Sequence, residues 1–245
     1  VFRHNDVEDL AQKLDRVPDG IDRVVLIFDG IFSMRGDHAP LDHIASLSEH
    51  HAPRFRDGVV TVMDDSHGLG AYGDSGRGTE EHCGALADVL VGTFGKAFGV
   101  NGGFVAGSGE LVEAIRQRAD TYIYTNPLGA ADCAAAVEAV KLVDGDVGRE
   151  RLATLRRRTA RFRAGLAQLG LESIDGPHPV VPLLVRDTGR TRRTVEGLFE
   201  RGVLAVGLTF PVVPRGDETI RFQVNAAHTE HDIDQVLAAV EQASR

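Results

Sequence analysis

The chain has 245 residues, 42% hydrophobic and 26% charged, which is the composition of an ordinary folded protein long enough to bury a sizeable core. Its 36 acidic side chains outnumber 27 basic ones, and the formal net charge of −9 argues against nucleic-acid recognition as a main function. Cys83 and Cys133 form no spacing motif, so disulfide stapling and a cysteine metal site are not expected and a cytoplasmic setting is. No apolar run approaches the roughly 20 residues that span a bilayer, so no membrane partner is expected either.

In chain order, Asn5 is placed to cap a first helix with Glu8 in the reciprocal position, and Val7, Leu10, Ala11 and Leu14 then share one face. Pro18-Asp19-Gly20 ends it. The runs 23–28, 59–63 and 89–92 read as fully buried strands, and helical patterns lie between or after them. Continuous apolar strands alternating with helices point to a parallel sheet covered on both faces. Ligands gather beyond the carboxyl ends of such strands, where Asp29, Asp64 and Thr93 stand. A short strand at 104–106 and a helix over 110–118 follow. A further helix opens at Pro127 with Asn126 as its cap and reaches Leu142. Residues 144–148 are the candidate linker, dividing part of a large domain over 1–148 from a small C-terminal α+β domain over 149–245. In the latter, Leu152, Leu155, Phe162, Leu166 and Leu169 mark one face of a long helix whose arginine-rich opposite face reads as merely solvated. Strands at 180–185, 203–206 and 219–224, a helix over 191–201, and a last helix capped by Thr229 and Asp232 complete the chain.

The chemistry concentrates at Gly92-Thr93-Phe94-Gly95-Lys96-Ala97-Phe98-Gly99. Only Lys13, Lys96 and Lys141 are lysines among the 27 basic residues, so a lysine in this small-residue frame reads as a reactive amine. A desolvated lysine loses its proton and forms a Schiff base with an aldehyde, whereas a guanidinium stays protonated. The glycines leave room for a flat ring. Upstream, Asp64-Asp65-Ser66-His67-Gly68 offers a carboxylate and an imidazole for the polar edges of a pyridoxal ring, the carboxylate keeping the pyridine nitrogen protonated. Pyridoxal 5'-phosphate is therefore the expected cofactor.

Each of these residues also has a structural reading: Asp64 and Asp65 as turn caps, His67 as a packed histidine, Arg221 as half of a surface ion pair. The glycines between Gly68 and Gly78 suggest a nucleotide loop, but a dinucleotide fingerprint opens a helix directly after the first strand, and here they run on into polar turns. His43, His50, His51, His178, His228 and His231 lack metal-ligand spacing, so no metal is expected.

Taken in order, Phe2-Arg3-His4-Asn5-Asp6, Asp29-Gly30-Ile31-Phe32-Ser33-Met34, Ala39-Pro40-Leu41, Asp64-Asp65-Ser66-His67-Gly68, Gly76-Arg77-Gly78-Thr79, the Lys96 segment and Arg221 resemble the α-oxoamine synthases. The resemblance implies an α/β chain of the PLP-dependent transferase fold type I, aspartate aminotransferase-like: part of a large domain with a mostly parallel sheet, plus the small C-terminal domain. It also implies an acyltransferase that condenses an amino acid with an acyl-coenzyme A to give an α-amino ketone. Asp29-Gly30, the stretch from Phe210 to Gly216 and Ala226-Ala227-His228-Thr229 look most like glycine C-acetyltransferase, which joins glycine and acetyl-coenzyme A into 2-amino-3-ketobutyrate. The alternatives are an 8-amino-7-oxononanoate synthase-like enzyme, another fold type I aminotransferase or aldolase, and an incomplete, non-catalytic subunit.

By the same resemblance Lys96 is the Schiff-base lysine, Asp64 the partner of the ring nitrogen, and His67 the partner of the phenolic oxygen with Ser33 beside it. Thr93 contacts the cofactor phosphate or its approach, and Arg221 pairs with the substrate carboxylate. Thr125 and Asn126 reach the phosphate of a neighbouring subunit, which implies a homodimer with shared active sites. Arg35 stands where the family usually carries an acid, and 51–58 looks like a short insertion. The family's N-terminal part, with much of its coenzyme A site, has no counterpart here, so this chain alone is expected to be an incomplete enzyme.

Overall fold

A computed structural model describes residues 1–244. Its elements separate by their contacts into two sets, Val1–Ile31 with His38–Arg149, and Phe32–Asp37 with the residues from Glu150 onward. The division falls in the first turn of a helix, because Asp146 already opens that helix and Gly145 closes the one before it. The segment 144–148 is thus mostly helical.

The first set runs α1 (Val7–Asp15), β1 (Val24–Asp29), α2 (Leu41–His51), β2 (Val59–Asp64), α3 (Thr79–Cys83), β3 (Val89–Thr93), β4 (Gly103–Gly107), α4 (Gly109–Arg118), α5 (Asp120–Ile123) and α6 (Ala130–Asp144). Strands β1, β2 and β3 are parallel neighbours in chain order, and β4 closes the sheet antiparallel to β3. The register sets Asp29 opposite Asp64 and Asp64 opposite Val91, so the carboxyl ends of all three parallel strands lie side by side. Cover is one-sided at β1. Leu26 and Phe28 are buried, but Val25 and Ile27, pointing the other way, stay 50% and 72% exposed. An unbroken apolar run marks both faces as water-avoiding, yet the cover itself must come from packed elements, and the described residues supply it for one face only.

Local signals misplace two helix starts. Asp6 rather than Asn5 caps α1, its carboxylate accepting from the Asp9 N–H at 2.8 Å. Asn5 takes a left-handed turn (φ 53°), which asparagine tolerates, and its side-chain amide donates to the His38 carbonyl at 2.9 Å. Gly129, not Asn126, precedes the first turn of α6, and Leu128 just before it packs against Gly102, where an added side chain would collide with it. The 51–58 segment makes one 3₁₀ turn (Ala52–Arg54) that ties down the end of α1: Arg54 donates to the Leu14 carbonyl at 2.8 Å.

The second set contains α7 (Asp146–Gln168) beyond its first turn, β5 (Val180–Leu184), α8 (Thr188–Glu200), β6 (Val206–Leu208), β7 (Thr219–Gln223) and α9 (Glu230–Ser244). Its sheet is antiparallel in the order β5-β7-β6, and β6 starts later than expected because the Val203 N–H closes on the Leu198 carbonyl at the end of α8. Phe162, Leu198, Ile220 and Val240 form its core with Phe222, whose ring meets Phe162 edge-on at 5.1 Å. The arginine-rich face of α7 is more than solvated. Arg158 pairs with Glu230 at 2.7 Å and Arg161 with Asp234 at 2.8 Å, while Arg163 donates to the carbonyls of Ile174, His178 and Val180. No helix among the described residues is long and apolar enough to cross a membrane.

Candidate active site

Lys96 sits in the loop that joins β3 to β4, on a braced turn. The Phe94 N–H donates to the Gly102 carbonyl, the Val100 N–H to the Phe94 carbonyl, and the Gly99 N–H to the Lys96 carbonyl, with Gly99 supplying the left-handed φ of 66°. Phe94 packs on Phe98 and Phe104, anchoring the loop from below. The Thr93 hydroxyl donates to the Gly102 carbonyl at 3.1 Å and accepts from the Gly95 N–H at 3.1 Å, so its one proton already serves the lysine loop. Lys13 is paired with Asp9 at 3.2 Å and Lys141 with Glu138 at 2.7 Å. Lys96 is exposed, and its amine has no hydrogen bond or salt bridge among the described residues.

Across the sheet end stand two carboxylates. Asp64, the last residue of β2, is exposed, and its carboxylate accepts from the Ser66 N–H at 2.9 Å. Asp29 lies opposite it in register. Burial pushes the Asp29 carboxyl above its usual range, the Asp64 charge raises it further, and Lys96 pulls it back. The three charges therefore share one neighbourhood, as a lysine facing an acidic strand end should. Asp65 is different: it is fully buried, and Thr79 donates to both of its carboxylate oxygens. His67 follows in the same turn, half-buried.

The glycine-rich stretch after His67 folds on itself. Gly70 (φ 81°) donates to the Gly76 carbonyl and Gly78 to the Tyr72 carbonyl, while the Glu81 carboxylate takes the N–H groups of Ser75 and Arg77. Those amides are spent internally, unlike the free N–H groups with which a nucleotide loop cradles phosphate. Gly70 also lies against the lysine loop, where an added Cβ would come within 2.6 Å of the Ala97 Cβ.

Ser33 and Arg221 belong to the second set of elements and meet there, the Arg221 guanidinium donating to the Ser33 carbonyl at 3.0 Å. Thr125 and Asn126 are both exposed, in a stretch that also exposes Tyr122, Ile123, Tyr124 and Leu128. Thr79 was singled out by nothing in the local sequence beyond its place in Gly76-Arg77-Gly78-Thr79, since its partner Asp65 lies 14 residues upstream. Among the described residues no group of three or more His, Cys, Asp or Glu is placed to hold a metal ion.

A mostly parallel sheet that presents a lysine and two carboxylates at its strand ends, followed by an antiparallel sheet with helices, has the architecture of the fold type I transferases. The profile of the family described as aminotransferase class I and II matches residues 2–240, and the chain belongs to that family. It is 40% identical over 247 residues to an 8-amino-7-oxononanoate synthase of Thioalkalivibrio sulfidiphilus, with 100% of this chain and 61% of the relative covered. Among solved structures it is similar to a Sphingomonas wittichii serine palmitoyltransferase, at 30% identity and a TM-score of 0.89, covering 100% of this chain and 60% of the other. It is also similar to a serine palmitoyltransferase from S. paucimobilis with a bound PLP–myriocin aldimine, at 28% identity, a TM-score of 0.90 and the same coverage. The chain thus spans about 60% of the length of these relatives. These likenesses support the α-oxoamine synthase branch; glycine C-acetyltransferase, the expected subfamily, is not the name these relatives carry.

Proposed function

We propose that this protein is an α-oxoamine synthase that uses pyridoxal phosphate to join an amino acid to an acyl thioester, with a product like that of the 8-amino-7-oxononanoate synthases. The observation that carries the reading is the unpaired Lys96 beside Asp64 and Asp29 at the carboxyl end of the sheet. That donor set fits the cofactor, with an amine for its aldehyde and a carboxylate for its pyridinium. The product's name dictates the halves. In a nine-carbon acid with the amine on C8 and the ketone on C7, the amine-bearing end is alanine without its carboxylate, and the rest is a seven-carbon dicarboxylic acyl group. Joining the two releases carbon dioxide and the free thiol, and the carbon count closes.

Bound at this site, pyridoxal phosphate supplies an electron sink for negative charge on the substrate α-carbon. Lys96 would provide the amine that holds the cofactor and would move a proton at the substrate α-carbon. Asp64 holds the proton on the ring nitrogen by charge. His67 and Ser33 serve the phenolic oxygen. Thr93 acts by bracing the lysine loop, its hydroxyl being committed to Gly102 and Gly95. Arg221 binds the substrate carboxylate, and the Ser33 carbonyl holds its guanidinium in place beforehand. The exposed apolar stretch around Thr125 and Asn126 supports a homodimer in which those residues reach the partner's site. Two free cysteines and an ordinary acidic composition suit a cytoplasmic biosynthetic setting.

The test is a matrix of glycine, alanine and serine against acetyl, seven-carbon dicarboxylic and palmitoyl thioesters, read by release of free thiol from the full-length gene product. Thiol is expected with alanine and the dicarboxylic thioester. Release with glycine and acetyl-coenzyme A would restore the glycine C-acetyltransferase reading, and no release from a cofactor-loaded protein would leave an aminotransferase or aldolase. Borohydride reduction and peptide mapping of the same sample should place the cofactor on Lys96; an adduct on Lys13 or Lys141 would overturn the site.

A further inference from the structure

Asp65 has no place among the reacting groups, yet both of its carboxylate oxygens are engaged. It is fully buried (0% exposed), and a buried carboxylate is costly unless its oxygens are bonded. Both are: Oδ2 accepts the Thr79 N–H at 2.6 Å and Oδ1 accepts the Thr79 hydroxyl at 2.8 Å. Its backbone is equally committed. The Asp65 N–H donates to the Val91 carbonyl on β3, and its own carbonyl accepts from the N–H groups of Gly68 and Leu69. Just before it, the Asp64 carbonyl accepts from the Gly30 N–H beyond β1. Gly30, Gly68 and Gly78 crowd the carboxylate so closely that a Cβ at any of them would run into its oxygens.

Asp65 therefore ties the end of β2 to β3 and to the start of α3, and its neighbour Asp64 ties it to β1. We propose that Asp65 is the positioning residue of the active site, locking the Asp64–Gly68 turn so that the Asp64 carboxylate and His67 present themselves to the cofactor in one orientation. Asp64 and Asp65 are neighbours on an extended strand end, so their side chains take opposite sides, one exposed and one buried. Pinning the buried one fixes the direction of the other. Asp65 acts through Asp64 and does not itself meet the ring, since both its oxygens are held by Thr79. The inference rests on the cofactor reading above.

The experiment compares Asp65→Asn, Thr79→Val and Thr79→Ser in the full-length protein by visible-range circular dichroism of the bound cofactor, kcat, KM for the amino acid, and the unfolding midpoint. The parent is expected to show a cofactor dichroic band. Asp65→Asn should retain cofactor but lose half or more of that band per bound cofactor, with kcat down about tenfold and KM changed less than threefold. Thr79→Val should move both readings the same way to a smaller extent, and Thr79→Ser, which keeps both donors, should restore them. An Asp65→Asn or Thr79→Val protein with a lowered unfolding midpoint but an unaltered band and kcat would show a structural role only and overturn the proposal. If Asp65→Asn does not fold, the Thr79 pair decides by the same two readings. A parent protein with no cofactor band would overturn the cofactor reading instead, and the positioning role with it.

Discussion

At the scale of single residues, the two adjacent aspartates divide the work by burial. Asp64 is exposed at the strand end, so Asp64→Asn should leave the fold and cofactor binding intact while removing the charge proposed to keep the ring nitrogen protonated. Losing a charge-assisted bond of about 1.5–3 kcal/mol corresponds to a fall in kcat of roughly 10- to 150-fold. Steady-state kinetics and cofactor absorbance check this together, and unchanged turnover would make Asp29 the ring partner. Asp65 makes a prediction about stability. Burial pushes its carboxyl up to about 6, against the pull of the two Thr79 donors, from an unfolded value of 3.8. Between those values the folded state holds a proton that the unfolded state has lost. Stability should therefore fall as pH rises from about 4 to about 6, by up to about 3 kcal/mol for a shift of this size, and stay lower above it. Urea unfolding of the parent and of Asp65→Asn from pH 4 to 7 measures the term. The parent's stability relative to the variant should decline across that window, and a constant difference would refute it.

At the scale of elements, the lysine loop depends on a neighbour that carries no functional group. Gly70 adopts φ 81° and lies against Ala97, the residue after Lys96. Gly70→Ala combines left-handed strain with overpacking, at about 2–4 kcal/mol together. The expected outcome is a lower unfolding midpoint and a weaker hold on pyridoxal phosphate, because the loop must shift to admit the methyl group. Cofactor titration followed by absorbance is the measurement, and unchanged affinity would show that the loop position does not matter. The cap of α9 needs no such tertiary partner. Asp232 accepts from the Thr229 N–H and hydroxyl while its own N–H donates back to Thr229, a reciprocal pair legible from spacing alone.

At the scale of the whole molecule, the exposed apolar residues identify surfaces that water does not favour. Tyr124 is 86% exposed in the stretch that carries Thr125 and Asn126. If that stretch meets a second copy, Tyr124→Glu in the full-length protein should raise the dimer dissociation constant at least tenfold, as measured by sedimentation. An unchanged assembly would remove 122–128 from the interface.

Much of the candidate site is legible in the primary structure because its signals are local. Lys96 stands out as one of three lysines in a glycine frame, Asp64 and His67 share one turn after an apolar strand, and runs of valine and isoleucine announce the parallel strands. Chain-neighbour chemistry and strand periodicity suffice for these. Other features are set by partners distant in sequence. Asp65 and Thr79 are 14 residues apart, Arg221 and Ser33 are 188 apart, and the arginines of α7 find Glu230 and Asp234 more than 70 residues on. Which aspartate of the pair is buried, which face of β1 is covered, and whether Thr93 spends its proton on its own loop depend on what packs against them. A residue's type states what bonds it can make; only the tertiary structure, by bringing distant donors to it and excluding water, decides which of them it makes.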